Sequence, residues 1–381
     1  MNPLFDTIID RTHSHSMKWE KYEDTDILPM WVADMDFKAP PAVLAALEQV
    51  IAHGVLGYTL VSRDLNQVVA GHLKKCYGWE VEPDWLVWIP GVVSGLNVVC
   101  RAFGTPDQPL VTTVPIYPPF LSVSAHCGKP LTTLPMVRIS GRSTLDFDAL
   151  EQAFQKQPAV FLFCSPYNPC GTLFTGAELD RLVHLCETYD VILCSDEIHC
   201  DFVLDPQNRH IPTATISRAA ARRTITLMAP SKTYNIPGLG CAFAVISDPD
   251  LRSRFKAACK GIVPSVNLMG LAAAKAAYDG SCDPWLAQLI PYLARNRDTV
   301  MERVNTLPGC RLDPIEATYL AWIDVRDTGL NDPVAFFEQA GVGLSDGIFF
   351  GTRGFVRLNF GCPAAVLGKG LERLAQALKN R

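Results

Sequence analysis

An α/β architecture is predicted, with a mainly parallel sheet carrying helices on both faces and a smaller α+β domain beside it. Three observations carry that expectation. At 381 residues, 48% of them hydrophobic, the chain exceeds one ordinary core and has apolar content for a large and a small one. Strand-like and helix-like segments alternate from about residue 80 to 280, the rhythm of strands joined through crossover helices. Beyond residue 282 one long helical pattern leads into a strand, a helix, a second strand and a terminal helix.

In chain order, the short apolar runs Trp85–Ile89, Leu110–Thr113, Ala159–Cys164, Val191–Ser195, Thr224–Met228 and Cys241–Ile246 read as strands of a buried sheet. Between them lie helical patterns. The stretch from Thr175 to Tyr189 starts on Thr and Gly and places Leu179, Leu182, Val183 and Cys186 at helical spacing. From Cys282 to Thr306, Trp285, Leu289, Leu293, Val300 and Val304 recur along one helix face, which suits a connection between domains. Then follow a strand (Tyr319–Asp324), a helix (Asp332–Gln339), a strand (Phe355–Phe360) and a helix (Ala364–Leu378). The large domain is expected over 45–282, and the small one over 283–381 together with 1–44, whose opening residues form an arm packed back on it. In such a sheet, active residues gather where strands end and loops begin.

Composition narrows the function. A net charge of -5, spread along the chain, leaves no basic run able to track a phosphate backbone, so nucleic acid is not an expected partner. Charge and proline interrupt the opening Met1-Asn2-Pro3-Leu4-Phe5-Asp6, and no apolar stretch is long enough to cross a bilayer. No membrane partner and a cytoplasmic location are therefore expected. Thirteen cysteines occur with no Cys-x-x-Cys spacing, and Cys164, Cys194 and Cys241 fall inside strand-like runs, where a reduced cysteine packs as a small hydrophobe. His13 and His15 stand in a polar arm with no further ligand near. No metal site is expected.

Several polar residues interrupt this apolar pattern. Lys232, in Leu227-Met228-Ala229-Pro230-Ser231-Lys232-Thr233-Tyr234-Asn235-Ile236-Pro237-Gly238, lies between a strand and a Pro/Gly-rich turn. Alone, it reads as a solvated loop lysine. Pro90-Gly91-Val92-Val93-Ser94-Gly95-Leu96-Asn97 follows a strand and opens a helix, a geometry whose free N–H groups and dipole favour a phosphate. Asp196 ends a strand, where burial drives a carboxylate toward neutrality unless a cation faces it; a capping or ion-paired aspartate is the alternative. Asn168, within Ser165-Pro166-Tyr167-Asn168-Pro169-Cys170-Gly171, is by itself an ordinary turn residue, and Tyr117 is by itself a core tyrosine. Arg357 alternates with apolar residues in Val356-Arg357-Leu358-Asn359-Phe360, where a guanidinium can grip a carboxylate through two parallel hydrogen bonds or lie on a sheet edge. Asp34, in Met30-Trp31-Val32-Ala33-Asp34-Met35-Asp36-Phe37, reads as structural.

Together and in this order, the segments around Asn168, Ser195-Asp196-Glu197-Ile198-His199 and Lys232 resemble those of pyridoxal-phosphate enzymes of the aspartate aminotransferase fold. The resemblance spans nearly the whole chain and implies a large domain with a mainly parallel seven-stranded sheet and pyridoxal 5'-phosphate as cofactor. It assigns the phosphate to Val92, Val93, Ser94 and Ser231, the ring nitrogen to Asp196, the ring's 3-oxygen to Asn168 and the stacking aromatic to Tyr117, whose phenol could also aid proton movement. Lys232 becomes the residue that bonds the cofactor and, once displaced by substrate, the base at the α-carbon. Arg357 would bind the substrate α-carboxylate. His199 is placed at the cofactor where many aminotransferases of this fold carry Tyr, and Gly240 stands where many carry a phosphate-binding arginine. Tyr58, in Leu56-Gly57-Tyr58-Thr59, matches a tyrosine that in relatives reaches the neighbouring subunit's phosphate, which implies a homodimer.

The segments Trp31–Phe37, Pro90–Leu96, Ser195–His199 and Pro230–Thr233 further look like carbon–sulfur β-lyases of the MalY/PatB type. That resemblance implies cleavage of the Cβ–S bond of L-cystathionine or a related cysteine S-conjugate to a thiol, pyruvate and ammonia. An aminotransferase is the alternative, since transamination begins with the same proton abstraction. A cofactor-bound regulatory interaction protein is a second. The substrate's distal group is expected to meet the N-terminal segment, the loop near Ser345–Phe350 and the second subunit.

Overall fold

Seven strands form the large sheet: β1 (Leu86–Ile89), β2 (Leu110–Val114), β3 (Leu131–Pro135), β4 (Val160–Cys164), β5 (Ile192–Asp196), β6 (Thr224–Met228) and β7 (Ala242–Val245). This is a computed structural model that describes residues 2–380, so the outermost limits of the expected domains, Met1 and Arg381, lie outside the described residues. The strand order is β1-β7-β6-β5-β4-β2-β3. Only β7 runs against its neighbours; the pairs from β6 through β3 are parallel. Six of these strands lie where the apolar runs predict them. The seventh, β3, escaped the sequence reading because it is a half-exposed edge strand that ends on Pro135 and carries no long apolar run.

Strand residues alternate between the two faces, as a period of two requires. In β7, Ala242 and Ala244 enter a core with Ile225, Leu227 and Leu96, whereas Phe243 and Val245 face a second core with Leu73, Ala273 and Tyr278. The first is covered by helices that include Val92–Ala102 and Gly176–Thr188, the second by Pro41–His53, Arg63–Tyr77 and Leu268–Tyr278. Gly176–Thr188 begins as the sequence indicates, on a Thr175–Glu178 capping box that satisfies two otherwise orphaned N–H groups.

The long helix spans Asp283–Val304 and buries Trp285, Leu289, Leu293, Val300 and Val304, as their spacing predicts. Beyond it, Arg311–Leu312, Leu320–Asp324, Phe355–Asn359 and Ser345–Asp346 form a four-stranded antiparallel sheet in that order. The arm does return to this part of the chain. Leu28–Pro29 pairs in parallel with Val342–Gly343, and Phe5 packs edge-on against Trp285. Among the described residues, no helix is long and apolar enough to cross a membrane.

Candidate active site

The carboxyl ends of β1, β2, β4, β5 and β6 open on one cavity of about 730 Å³, the position at which open α/β sheets bind ligands. Each strand delivers its residue differently. After β1, Gly91 caps the helix Val92–Ala102 without a side chain, and no acidic residue occupies the first turn. The N–H groups of Val92, Val93 and Ser94 therefore have no acceptor within the helix and face a site suited to an anion. After β2 comes Tyr117, whose phenol burial pushes up in pKa. After β4, the turn presents Asn168. After β6, the chain forms one helical turn, Pro230–Thr233, carrying Ser231 and Lys232, where the sequence reading placed a loop.

Asp196 is the last residue of β5 and is buried. One of its oxygens accepts the Ile198 N–H at 3.1 Å, and no cation bonds it. Burial raises its pKa to about 7 against the opposing pull of the Ile198 N–H and Lys232. His199 is buried with Nδ1 unpartnered, and burial holds its pKa well below the ordinary value, so the ring is neutral. Burial brings Lys232 down to about 8; Asp34 and Asp196 oppose that fall and Arg357 adds to it. The Lys232 amine donates to the Ala33 carbonyl at 2.6 Å.

Arg357 is not on an edge. Its strand, Phe355–Asn359, is paired on both sides, and the residue is 4% exposed. Its Nη1 donates to Asn168 Oδ1 at 3.0 Å and its Nη2 to the Trp31 carbonyl at 2.9 Å. Nε has no partner, and burial lowers its pKa only to about 10, so the guanidinium stays charged. Because Asn168 accepts through Oδ1, its amide NH₂ remains the group that can donate into the cavity.

Val92, Val93, Ser94, Tyr117, Asn168, Asp196, His199, Ser231, Lys232 and Arg357 thus line one cavity. Tyr58 does not join them. It is fully exposed beside a separate depression with Val55, Gly57 and Thr59. The expected flank residues Met17, Trp31, Ser345, Asp346, Phe349 and Phe350 line the mouth, but so do Val334, Ala335 and Glu338 of the helix Pro333–Gln339, which the sequence predicts as a helix without giving it a part in the site. Ala33 was missed as well, because its contribution is a backbone atom.

These groups fit pyridoxal phosphate. Open N–H groups and two serines suit a phosphate, a buried carboxylate lacking a cation suits a protonated ring nitrogen, and a depressed lysine suits bonding to an aldehyde. Unpartnered atoms on His199 and Arg357 indicate a site built for further polar groups.

The family described as "Aminotransferase class I and II" matches residues 25–374. Cystathionine beta-lyase PatB of Bacillus subtilis (strain 168) is 35% identical, over 98% of this chain and 99% of that protein. Among solved structures, OvoB superposes with a TM-score of 0.96 at 44% identity, covering 99% of each chain. Cystalysin from Treponema denticola, whose crystal structure contains pyridoxal 5'-phosphate, gives a TM-score of 0.94 at 31% identity over 100% of both chains. The chain belongs to the class I and II aminotransferase family.

Proposed function

We propose that this protein is a pyridoxal-phosphate-dependent carbon–sulfur β-lyase that cleaves L-cystathionine or a related cysteine S-conjugate to a thiol, pyruvate and ammonia. The observation that carries this is the convergence of Lys232, Asp196, Asn168 and Arg357 on one buried cavity from separate strands. Likeness to PatB over almost the full chain supports elimination over transamination.

When bound, pyridoxal phosphate supplies an electron-poor ring that draws electron density from the α-carbon of an amino acid joined to it. The protein's part is binding, orientation and proton movement. Val92, Val93 and Ser94 offer N–H groups, and Ser231 a hydroxyl, to the phosphate. Asp196 would accept from the ring nitrogen and keep it protonated. Asn168 would donate its amide to the 3-oxygen, and His199 and Tyr117 line the same cavity and would help hold the ring. Arg357 fixes the substrate α-carboxylate. Lys232, its pKa brought down to about 8 by burial, takes the α-proton at Nζ. As that C–H bond breaks, its electron pair becomes the second Cα–Cβ bond and the Cβ–S pair departs with the thiolate. Released 2-aminoacrylate hydrolyses to pyruvate and ammonia.

The reading includes a homodimer. The segment between the helices Pro41–His53 and Arg63–Tyr77 exposes Val55, Leu56, Tyr58 and Leu60, apolar surface suited to a second copy, from which Tyr58 reaches the partner's phosphate. It also includes a cytoplasmic location, supported by thirteen cysteines present as free thiols.

Purified protein given L-cystathionine without keto acid should release pyruvate and thiol in equal amounts, and Lys232→Ala should release neither. Absence of both products, with a new amino acid formed once a keto acid is added, would make the protein an aminotransferase.

A further inference from the structure

The lysine amine rests on a carbonyl that the fold has fixed in place. Ala33 O accepts from Lys232 Nζ at 2.6 Å and also from the Tyr319 hydroxyl at 2.9 Å. The carbonyls on either side, Val32 and Asp34, both accept from the amide of Asn359. One residue earlier, the Trp31 carbonyl accepts from Arg357 Nη2 and from Ser345 Oγ at 2.8 Å. The segment from Trp31 to Asp34 is therefore clamped along its length by the small sheet, and Ala33 O cannot swing away from the lysine.

Asp34 follows immediately, with a second unusual feature. One carboxylate oxygen accepts from Arg11 Nη2 at 2.8 Å, while the other is buried without a hydrogen bond. Lys18 Nζ stands 3.8 Å from that free oxygen and is itself committed to Asp36 at 2.7 Å. Arg11 also bonds Asp36, at 2.6 Å. Arg11, Lys18, Asp34 and Asp36 thus form a neutral quartet, and Lys232 is a further cation facing its inner edge. An uncommitted carboxylate oxygen costs stability when buried unless it serves a neighbour.

We propose that the Ala33 carbonyl and the Asp34 carboxylate form the acceptor that receives the Lys232 amine each time it is freed from the cofactor, and that they hold it there as an ammonium after it has taken the substrate proton. The inference rests on the reading of Lys232 as the cofactor lysine. The carbonyl acts by direct hydrogen bond and sets where Nζ sits. Asp34 makes no bond to the lysine and is a positioning residue acting through charge. The other groups that face Lys232 are Asp196, which favours the ammonium, Arg357, which opposes it, and the neutral His199. Proton transfer from Cα breaks the C–H bond and forms the third N–H bond of the ammonium. The acceptor stabilises that charge in a site where burial and Arg357 both disfavour it.

The test is the pH dependence of Lys232 acylation in the folded, full-length protein freed of cofactor, followed by peptide mass spectrometry. Circular dichroism confirms the fold of each variant. Asp34→Asn should move the labelling midpoint down by roughly one pH unit, since the attractive charge is gone. Arg11→Gln should move it up, because Asp34 loses its competing cation. Opposite shifts establish the acceptor, and midpoints that coincide with wild type overturn it. Should Asp34→Asn fail to fold, the rise in Arg11→Gln carries the test alone. The cofactor reading fails separately, if borohydride reduction of the wild-type holoenzyme leaves no pyridoxyl group on Lys232.

Discussion

Asp196, buried, and Lys232, half-buried, line the same cavity and are both displaced toward neutral pH, one upward to about 7 and the other downward to about 8, in each case chiefly by loss of solvent. Their stability effects have opposite pH signs. The raised aspartate contributes stability below its unfolded pKa of about 3.9, and that contribution is lost as pH rises through the folded value. The lowered lysine contributes above its unfolded value of about 10.4, and its contribution is lost as pH falls through the folded one. Both losses are complete between roughly pH 7 and 8, so this pair weakens the cofactor-free protein most in that window. Asp196→Asn should therefore raise the melting temperature of the cofactor-free protein in that range and leave it close to wild type near pH 4, at about the unfolded carboxylate pKa. Melting curves displaced equally at every pH would refute the assignment. With cofactor the order reverses, because only the carboxylate can pair with a protonated ring nitrogen.

One strand, Phe355–Asn359, does two jobs through the period of two. Arg357 and Asn359 share a face, so the guanidinium proposed to hold substrate and the amide that clamps Val32 and Asp34 reach the same stretch of chain. Asn359 also accepts the Gly361 N–H at 2.7 Å. Asn359→Ala leaves three backbone groups without partners and should cost about 2–4 kcal/mol in denaturant unfolding. A loss below about 0.5 kcal/mol, the scale of an ordinary surface change, would mean that the Trp31–Asp34 segment is held by other contacts. Arg357, Asp196 and Lys232 were singled out by the family resemblance of their segments, because alone each had an ordinary reading as a sheet-edge arginine, a capping aspartate or a solvated loop lysine. The Ala33 carbonyl was not, because a backbone acceptor has no sequence signature, and Asp34 read as structural because nothing in the spacing of the sequence brings it near Lys232. Edge strand β3 was missed because its residues are partly exposed, so the apolar periodicity that marks buried elements is weak there. The helix Pro333–Gln339 was found, but its place at the cavity mouth depends on tertiary packing that its own pattern does not encode.

At the scale of the whole molecule, the single chain supplies all but one of the groups expected at the cofactor. Tyr58 stands fully exposed on a non-regular segment with Val55, Leu56 and Leu60, too apolar to be left in water along its length. Gly240, where a Cβ would lie 3.5 Å from the Pro90 carbonyl, brings no side chain to the helix start at Val92. A phenol from a second copy would supply the missing donor. Mixing two defective variants tests this. Lys232→Ala homodimers lack the reacting amine in both sites, and Tyr58→Ala homodimers lack the donated phenol in both. In a mixed dimer the Tyr58→Ala protomer keeps its own Lys232 and receives Tyr58 from its companion, so one of the two sites is whole. Random re-association of equal amounts makes half of the dimers mixed, so about one quarter of all sites should recover wild-type turnover and cofactor affinity. If Tyr58 served its own subunit, no site in the mixed dimer would be complete and mixing would restore nothing. If the chain stayed monomeric in sedimentation at assay concentration, the shared site would fall with the dimer.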